Sequence, residues 1–169
     1  MKRVWILNGT DNNDRGNWIP WLKERLVERN LEVWTPDLPN SDRPNGKLWT
    51  DYLLTEAAKK GWEWNEEVIT VGHSAGGTEI LNLLSTLKEG QKVGFVYLIS
   101  TPENAGEMEK ISDLFNMSKS WDFRKIREKA EGFVIIHSDN DPYVKLGQAE
   151  NIARKLGVKV RLISGQGHF

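Results

Sequence analysis

Residues 72–77 read Gly-His-Ser-Ala-Gly-Gly, and within them Gly72-x-Ser74-x-Gly76 has the spacing at which a serine hydroxyl is made into a nucleophile. That chemistry needs the serine on a strained turn between a strand and a helix, with its oxygen pushed out of the sheet. Both flanks fit. Val68–Val71 is a short β-branched run, and Ile80, Leu81, Leu83, Leu84 and Leu87 follow at helical spacing. Glycine at 72 and 76 leaves room where side chains would strike the neighbouring strand and helix. The helix that follows aims its first amides at the point where an oxyanion would form. A G-x-S-x-G pattern also arises by chance in glycine-rich loops, and a phosphate-binding loop is the other chemistry such a turn can support. The phosphate loop needs a lysine before its Ser or Thr, and no lysine lies between Gly72 and Leu87.

A serine needs a base within hydrogen-bond reach, and the base needs an acid to hold its tautomer. There are three histidines. His73 adjoins the serine, so its side chain is expected to point away from the hydroxyl and to pack beneath the turn, at the margin of any pocket. His137 ends an apolar run and suits a core-edge role. His168 lies in Gly165-Gln166-Gly167-His168-Phe169 after the last apolar run and is the best base. The acid is expected between serine and histidine, after another strand, where His137-Ser138-Asp139-Asn140-Asp141-Pro142 offers two carboxylates. Asp141 is favoured, because Pro142 can open the next helix and fix the acid beside its N-terminus; Asp139 is the alternative, and a solvated Asp-rich turn is the ordinary explanation of either. The oxyanion would be held by the amides of Ala75 and of Thr10, which follows the Asn8-Gly9 turn after the first apolar run. Asn8, Gly9, His73, Trp49, Phe115 and Trp121 are the residues expected to line a small substrate pocket.

Positioning these groups requires strand ends on one side of a sheet. Val4–Leu7, Leu31–Thr35, Val68–Val71, Val93–Ile99, Phe133–Ile136 and Val158–Ile163 read as six short strands. Between them, helical patterns run from Trp18 to Val27, from about Lys47 to Lys60, from the elbow to Leu87, near Trp121–Glu131 and near Val144–Leu156, with a Pro-rich loop at Pro36–Pro44 and a polar stretch at Thr101–Ser120. Strands alternating with helices imply a doubly wound α/β domain, a mostly parallel six-stranded sheet covered on both faces, whose ligand site lies beyond the carboxyl ends of the strands. The 32 residues from Thr101 to Gly132 leave no room for a large lid.

Composition narrows the function further. The 169 residues suit one domain spanning 1–169. With 23 Lys and Arg against 24 Asp and Glu, the net charge of −1 supplies no basic field for nucleic acid. The absence of cysteine removes disulfides, thiolate metal sites and a cysteine nucleophile. The N-terminal apolar run is shorter than a signal peptide requires, and no run approaches the roughly 20 residues of a membrane span, so a cytoplasmic protein is expected. Eight tryptophans point first to core packing and second to an apolar pocket.

Taken together, the strand-end Asn8-Gly9, the Trp18-x-x-Trp21-Leu22 helix, Pro36–Pro44 followed by Trp49, the elbow, Ser138-x-x-Asp141-Pro142-Tyr143-Val144 and the final Gly167-His168-Phe169 resemble the small serine hydrolases that include retinoblastoma-binding protein 9 and the bacterial YdeN-like proteins. The resemblance implies a minimal α/β-hydrolase fold, a three-layer sandwich, with Ser74, Asp141 and His168 as triad. It also implies no metal or other cofactor, and hydrolysis of carboxylic esters or related acyl substrates. It further implies a helix beyond the histidine, whereas this sequence ends at Phe169. No retinoblastoma-protein partner is carried over, because the motif associated with it contains cysteine. The alternative reading is a hydrolase-fold protein of little or no activity that works by binding a partner.

Overall fold

A computed structural model of the chain describes residues 2–11 and 17–169. Six strands, β1 (Arg3–Leu7), β2 (Glu32–Trp34), β3 (Val68–His73), β4 (Val93–Ile99), β5 (Ala130–Ser138) and β6 (Val160–Ile163), form one sheet in the order β2-β1-β3-β4-β5-β6, parallel at every pairing. Among the described residues five α-helices connect them: α1 (Ile19–Val27), α2 (Gly46–Lys59), α3 (Ala75–Thr86), α4 (Phe123–Glu128) and α5 (Leu146–Leu156). A run of 3-10 turns, Glu109–Ser120, lies between β4 and α4.

The central strands are apolar on both faces, as burial on both sides demands, and divide the core in two. On one face Leu7, Val68, Val96, Leu98 and Ile135 pack with Trp49 and Leu53 of α2, Ile80, Leu81 and Leu84 of α3, Ile126 of α4 and Ile152 of α5. On the other, Val4, Ile6 and Val71 meet Ile19 of α1. That second layer is thinner than the sequence implies. Among the described residues α1 is its one α-helix, and Phe95 on β4 is 45% exposed.

Four tryptophans gather on the first side, where Trp5 touches the rings of Trp34, Trp62 and Trp64. The expected role of tryptophan in packing is met there rather than at the strand ends.

The sheet positions the site through its order. The chain runs from β1 outward to β2, then returns to β3 on the other side of β1. The loops leaving β1 and β3 therefore diverge, and the carboxyl ends of these two neighbours form the crevice in which α/β sheets hold ligands.

Candidate active site

Ser74 occupies the tip of the β3–α3 turn with φ 52° and ψ −122°, a left-handed backbone that costs a non-glycine residue about 1–3 kcal/mol. The surroundings hold it there. Its amide donates to the carbonyl of Ile99 at 2.8 Å, and its own carbonyl accepts from Gly77 at 3.0 Å. The glycines are explained by close approach. A Cβ on Gly72 would lie 2.5 Å from the Cα of Gly77, and one on Gly76 would lie 2.4 Å from the carbonyl oxygen of Leu7. Helix α3 can thus start against the strand ends, with Ala75 as its first residue.

The turn after β5 is organised around Asp141. One carboxylate oxygen accepts from the amides of Tyr143 and Val144, both at 2.9 Å. The other accepts from Nδ1 of His168 at 2.8 Å. The side chain of Asp141 is 1% exposed. Burial alone would raise its pKa, but the hydrogen bonds from His168, Val144 and Tyr143 outweigh it and hold the carboxyl at about 2. Pro142 does not open α5, which begins only at Leu146, so Asp141 is fixed by an Asx turn rather than by a helix N-terminus. Buried His137 supports the turn from below, its Nε2–H donating to the carbonyl of Val144 at 2.9 Å.

The same turn tethers the chain's last loop. Gly165 donates to Asp139 at 2.8 Å, Gln166 to the Ser138 hydroxyl at 2.9 Å and Gly167 to the Asn140 side chain at 2.7 Å. Asp139, the alternative acid, is thereby spent on loop structure, and its hydrogen bonds from Gly165 and Ser164 lower its pKa. His168 follows directly, with its Nδ1–H on Asp141 and Nε2 left as the lone-pair nitrogen.

Ser74 and His168 line one cleft of about 280 Å³, together with Gly9, Thr10, His73, Met108, Lys110, Ile111 and Tyr143. Lys110 pairs with Asp11 across it, so the loop after β1 is joined to the 3-10 run. Gly9 and Thr10 line the cleft, and a Cβ on Gly9 would come within 3.1 Å of the Cβ of Ser74. Four expected pocket residues lie elsewhere. Asn8 is buried beneath the turn. Trp49 is fully enclosed in the core, its indole N–H donating to the Pro39 carbonyl at 2.7 Å. Phe115 and Trp121 pack against that core, with the Trp121 N–H on Asn82 at 2.9 Å. The wall formed by Met108, Lys110 and Ile111 carries no sequence signal, because the stretch reads as polar and aperiodic. Tyr143, adjacent to a candidate acid, could have been found; its ring edge contacts His168 at 5.2 Å between centroids. Among the described residues no three His, Asp or Glu side chains converge as a metal site would require, and no helix is long and apolar enough to cross a membrane.

An all-parallel sheet with a serine elbow after its central strand defines an α/β hydrolase, and the likeness extends to a monoacylglycerol lipase of Paleococcus ferrophilus, which shares the fold (TM-score 0.76, 13% identity, 99% of this chain and 86% of that one). The chain belongs to the family described as serine hydrolase, whose model matches residues 4–169. Among its relatives is YdeN of Bacillus subtilis (strain 168), 27% identical over 168 residues, 99% of this chain and 86% of that protein. The crystal structure of the B. subtilis ydeN gene product matches with a TM-score of 0.90 over 99% of this chain and 88% of that one, at 25% identity. Serine hydrolase RBBP9 of Rattus norvegicus is 22% identical over 165 residues, 96% of this chain and 83% of that protein.

Proposed function

We propose that this serine hydrolase cleaves carboxylic esters by a two-step acyl transfer through Ser74, His168 and Asp141. The observation that carries the reading is the 2.8 Å contact between His168 Nδ1 and a buried carboxylate, made in the cleft that Ser74 also lines. In the first step Ser74 Oγ bonds to the acyl carbon as its proton passes to Nε2 of His168; collapse of the tetrahedral adduct expels the alcohol, which takes that proton. In the second step water, deprotonated by the same nitrogen, attacks the acyl-serine and restores the hydroxyl. Asp141 keeps the imidazole in one tautomer and stabilises the imidazolium. Thr10 and Ala75 are the residues whose amides would hold the oxyanion, at the loop after β1 and the first turn of α3. The small cleft favours short acyl groups.

Labelling with a fluorophosphonate probe followed by peptide mass spectrometry tests the assignment. Modification is expected at Ser74 alone and is lost in Ser74→Ala, with ester turnover down by about 10⁴–10⁶. A Ser74→Ala protein that turns over ester at the wild-type rate overturns it.

A further inference from the structure

His73 has no part in these two steps, yet it is 3% exposed, precedes Ser74 in the chain and lies against the ring of His168. Its Nε2 lies 2.7 Å from the backbone carbonyl oxygen of His168. A carbonyl only accepts, so Nε2 carries the proton and Nδ1 is the bare nitrogen. The ring is fixed on three sides. The edge of Trp18 meets it at 5.8 Å between centroids, the His168 ring lies at 4.9 Å, and Gly9 approaches so closely that a Cβ there would sit 3.3 Å from Nδ1. Nδ1 has no partner.

The tethers of the last loop are unevenly distributed. Those of Gly165, Gln166 and Gly167 all run to the end of β5 and the turn that follows it, as does the His168 side chain. Among the described residues, the hydrogen bond from His73 is the one that joins this loop to β3, the strand that delivers Ser74. Without it, nucleophile and base would be registered only through β4 and β5.

We infer that His73 is a positioning residue that clamps the backbone of His168 and so sets the separation of base and nucleophile; this rests on the reading of His168 as the base. A histidine suits the task better than a lysine or arginine because it can donate while uncharged. Burial holds its pKa down to about 4, so no second positive charge stands beside His168 when that ring becomes an imidazolium. The ring is also flat enough to fit between Trp18 and Gly9.

The test compares His73→Leu, which fills the space without a donor, with His73→Gln, whose amide nitrogen can stand in for Nε2. Losing one neutral hydrogen bond is expected to lower the population of the aligned loop about tenfold. His73→Leu should therefore label with fluorophosphonate about tenfold more slowly and show a reduced kcat at unchanged KM, whereas His73→Gln recovers to within about threefold. Hydrogen exchange of the Gly165–Phe169 amides should rise in His73→Leu and not in His73→Gln. Wild-type labelling rate and exchange in His73→Leu, or equal impairment of both variants, overturns the inference. Nitrogen NMR of the wild type adds a check that needs no variant to fold: protonated Nε2 on His73 supports the clamp, and protonated Nδ1 overturns it. A wild type that does not label at all would refute the acyl-transfer reading, while exchange and tautomer would still decide on the clamp.

Discussion

Glu79 is a carboxyl group with no solvent exposure, on the helix that starts at the elbow. Thr50 donates to one oxygen at 2.6 Å and Asn82 to the other at 3.1 Å. Burial outweighs these two hydrogen bonds and raises the pKa from 4.5 to about 8. The folded protein therefore holds Glu79 protonated across a range in which the unfolded chain has released that proton. The sign follows from linkage. The unfolded state binds fewer protons between these values, so the contribution to stability is complete below 4.5 and is lost as pH rises toward 8. Each pH unit is worth about 1.4 kcal/mol, so the full span amounts to about 5 kcal/mol, as much as many domains possess in total. Glu79→Gln abolishes the titration but keeps the hydrogen bonds. Its oxygen accepts from Asn82, its nitrogen donates to Thr50, and the Thr50 hydroxyl turns to the Met117 sulfur, 3.5 Å away. Urea unfolding followed by tryptophan fluorescence at pH 5 and pH 8 measures the difference between variant and wild type. The advantage of the variant is expected to grow by about 3–4 kcal/mol between the two pH values. A difference independent of pH would refute the argument, because it would mean that Glu79 is ionised in the folded state at ordinary acidity.

On the proposed mechanism, Asp141→Asn removes the charge that would steady the His168 imidazolium, and it is expected to slow probe labelling by about 10²–10⁴ with the far-UV circular dichroism unchanged. Gly76→Ala places a Cβ 2.4 Å from the Leu7 carbonyl oxygen and 2.6 Å from that of Asn8, both backbone atoms that cannot yield; loss of soluble folded protein is expected in an expression trial. Gly147→Ala, at the start of α5 with open space around it, is the counterpart. It should raise the urea-derived stability by about 0.5–1 kcal/mol, since alanine costs less chain entropy in a helix.

The parts of the molecule legible in the sequence are those where one residue pattern has one physical solution. Short β-branched runs followed by Asn8-Gly9 or by the elbow can only be buried strands entering sharp turns, and all six were placed, with the end strands a residue or two shorter than read. Order along the chain singles out Asp141, but Pro142 does not open a helix there: the carboxylate is held by the two amides of Tyr143 and Val144, a turn geometry that Pro142 disguises as a helix start. The 3-10 run was illegible because its four apolar residues, Ile111, Leu114, Phe115 and Met117, stand among eight polar ones, and Met117 breaks the helical spacing of the other three. Trp49 was misplaced for a related reason. It shares one face of α2 with Leu53 and Ala57, so its spacing marks a core position just as well as a pocket wall. The buried Thr50–Glu79–Asn82 group left no trace, because polar residues four or fewer apart on helices ordinarily face water.

The two sides of the cleft are built from different kinds of support. Ser74, Asp141 and His168 follow strand ends that cannot shift without breaking the sheet, whereas Met108, Lys110 and Ile111 sit in a connection joined to the rest of the protein along a seam of side-chain contacts: Lys110 on Asp11, Leu114 buried in the core with its carbonyl on Asn82 at 3.0 Å, Trp121 on the same side chain, and Asn116 on Asn45 at 3.1 Å. An exchange of residues that respects this seam would replace the outer wall and leave the reacting atoms where they are. On the mechanism proposed above, reactivity and choice of substrate would thus be separable, and grafting residues 104–113 would alter the second while leaving the first in place.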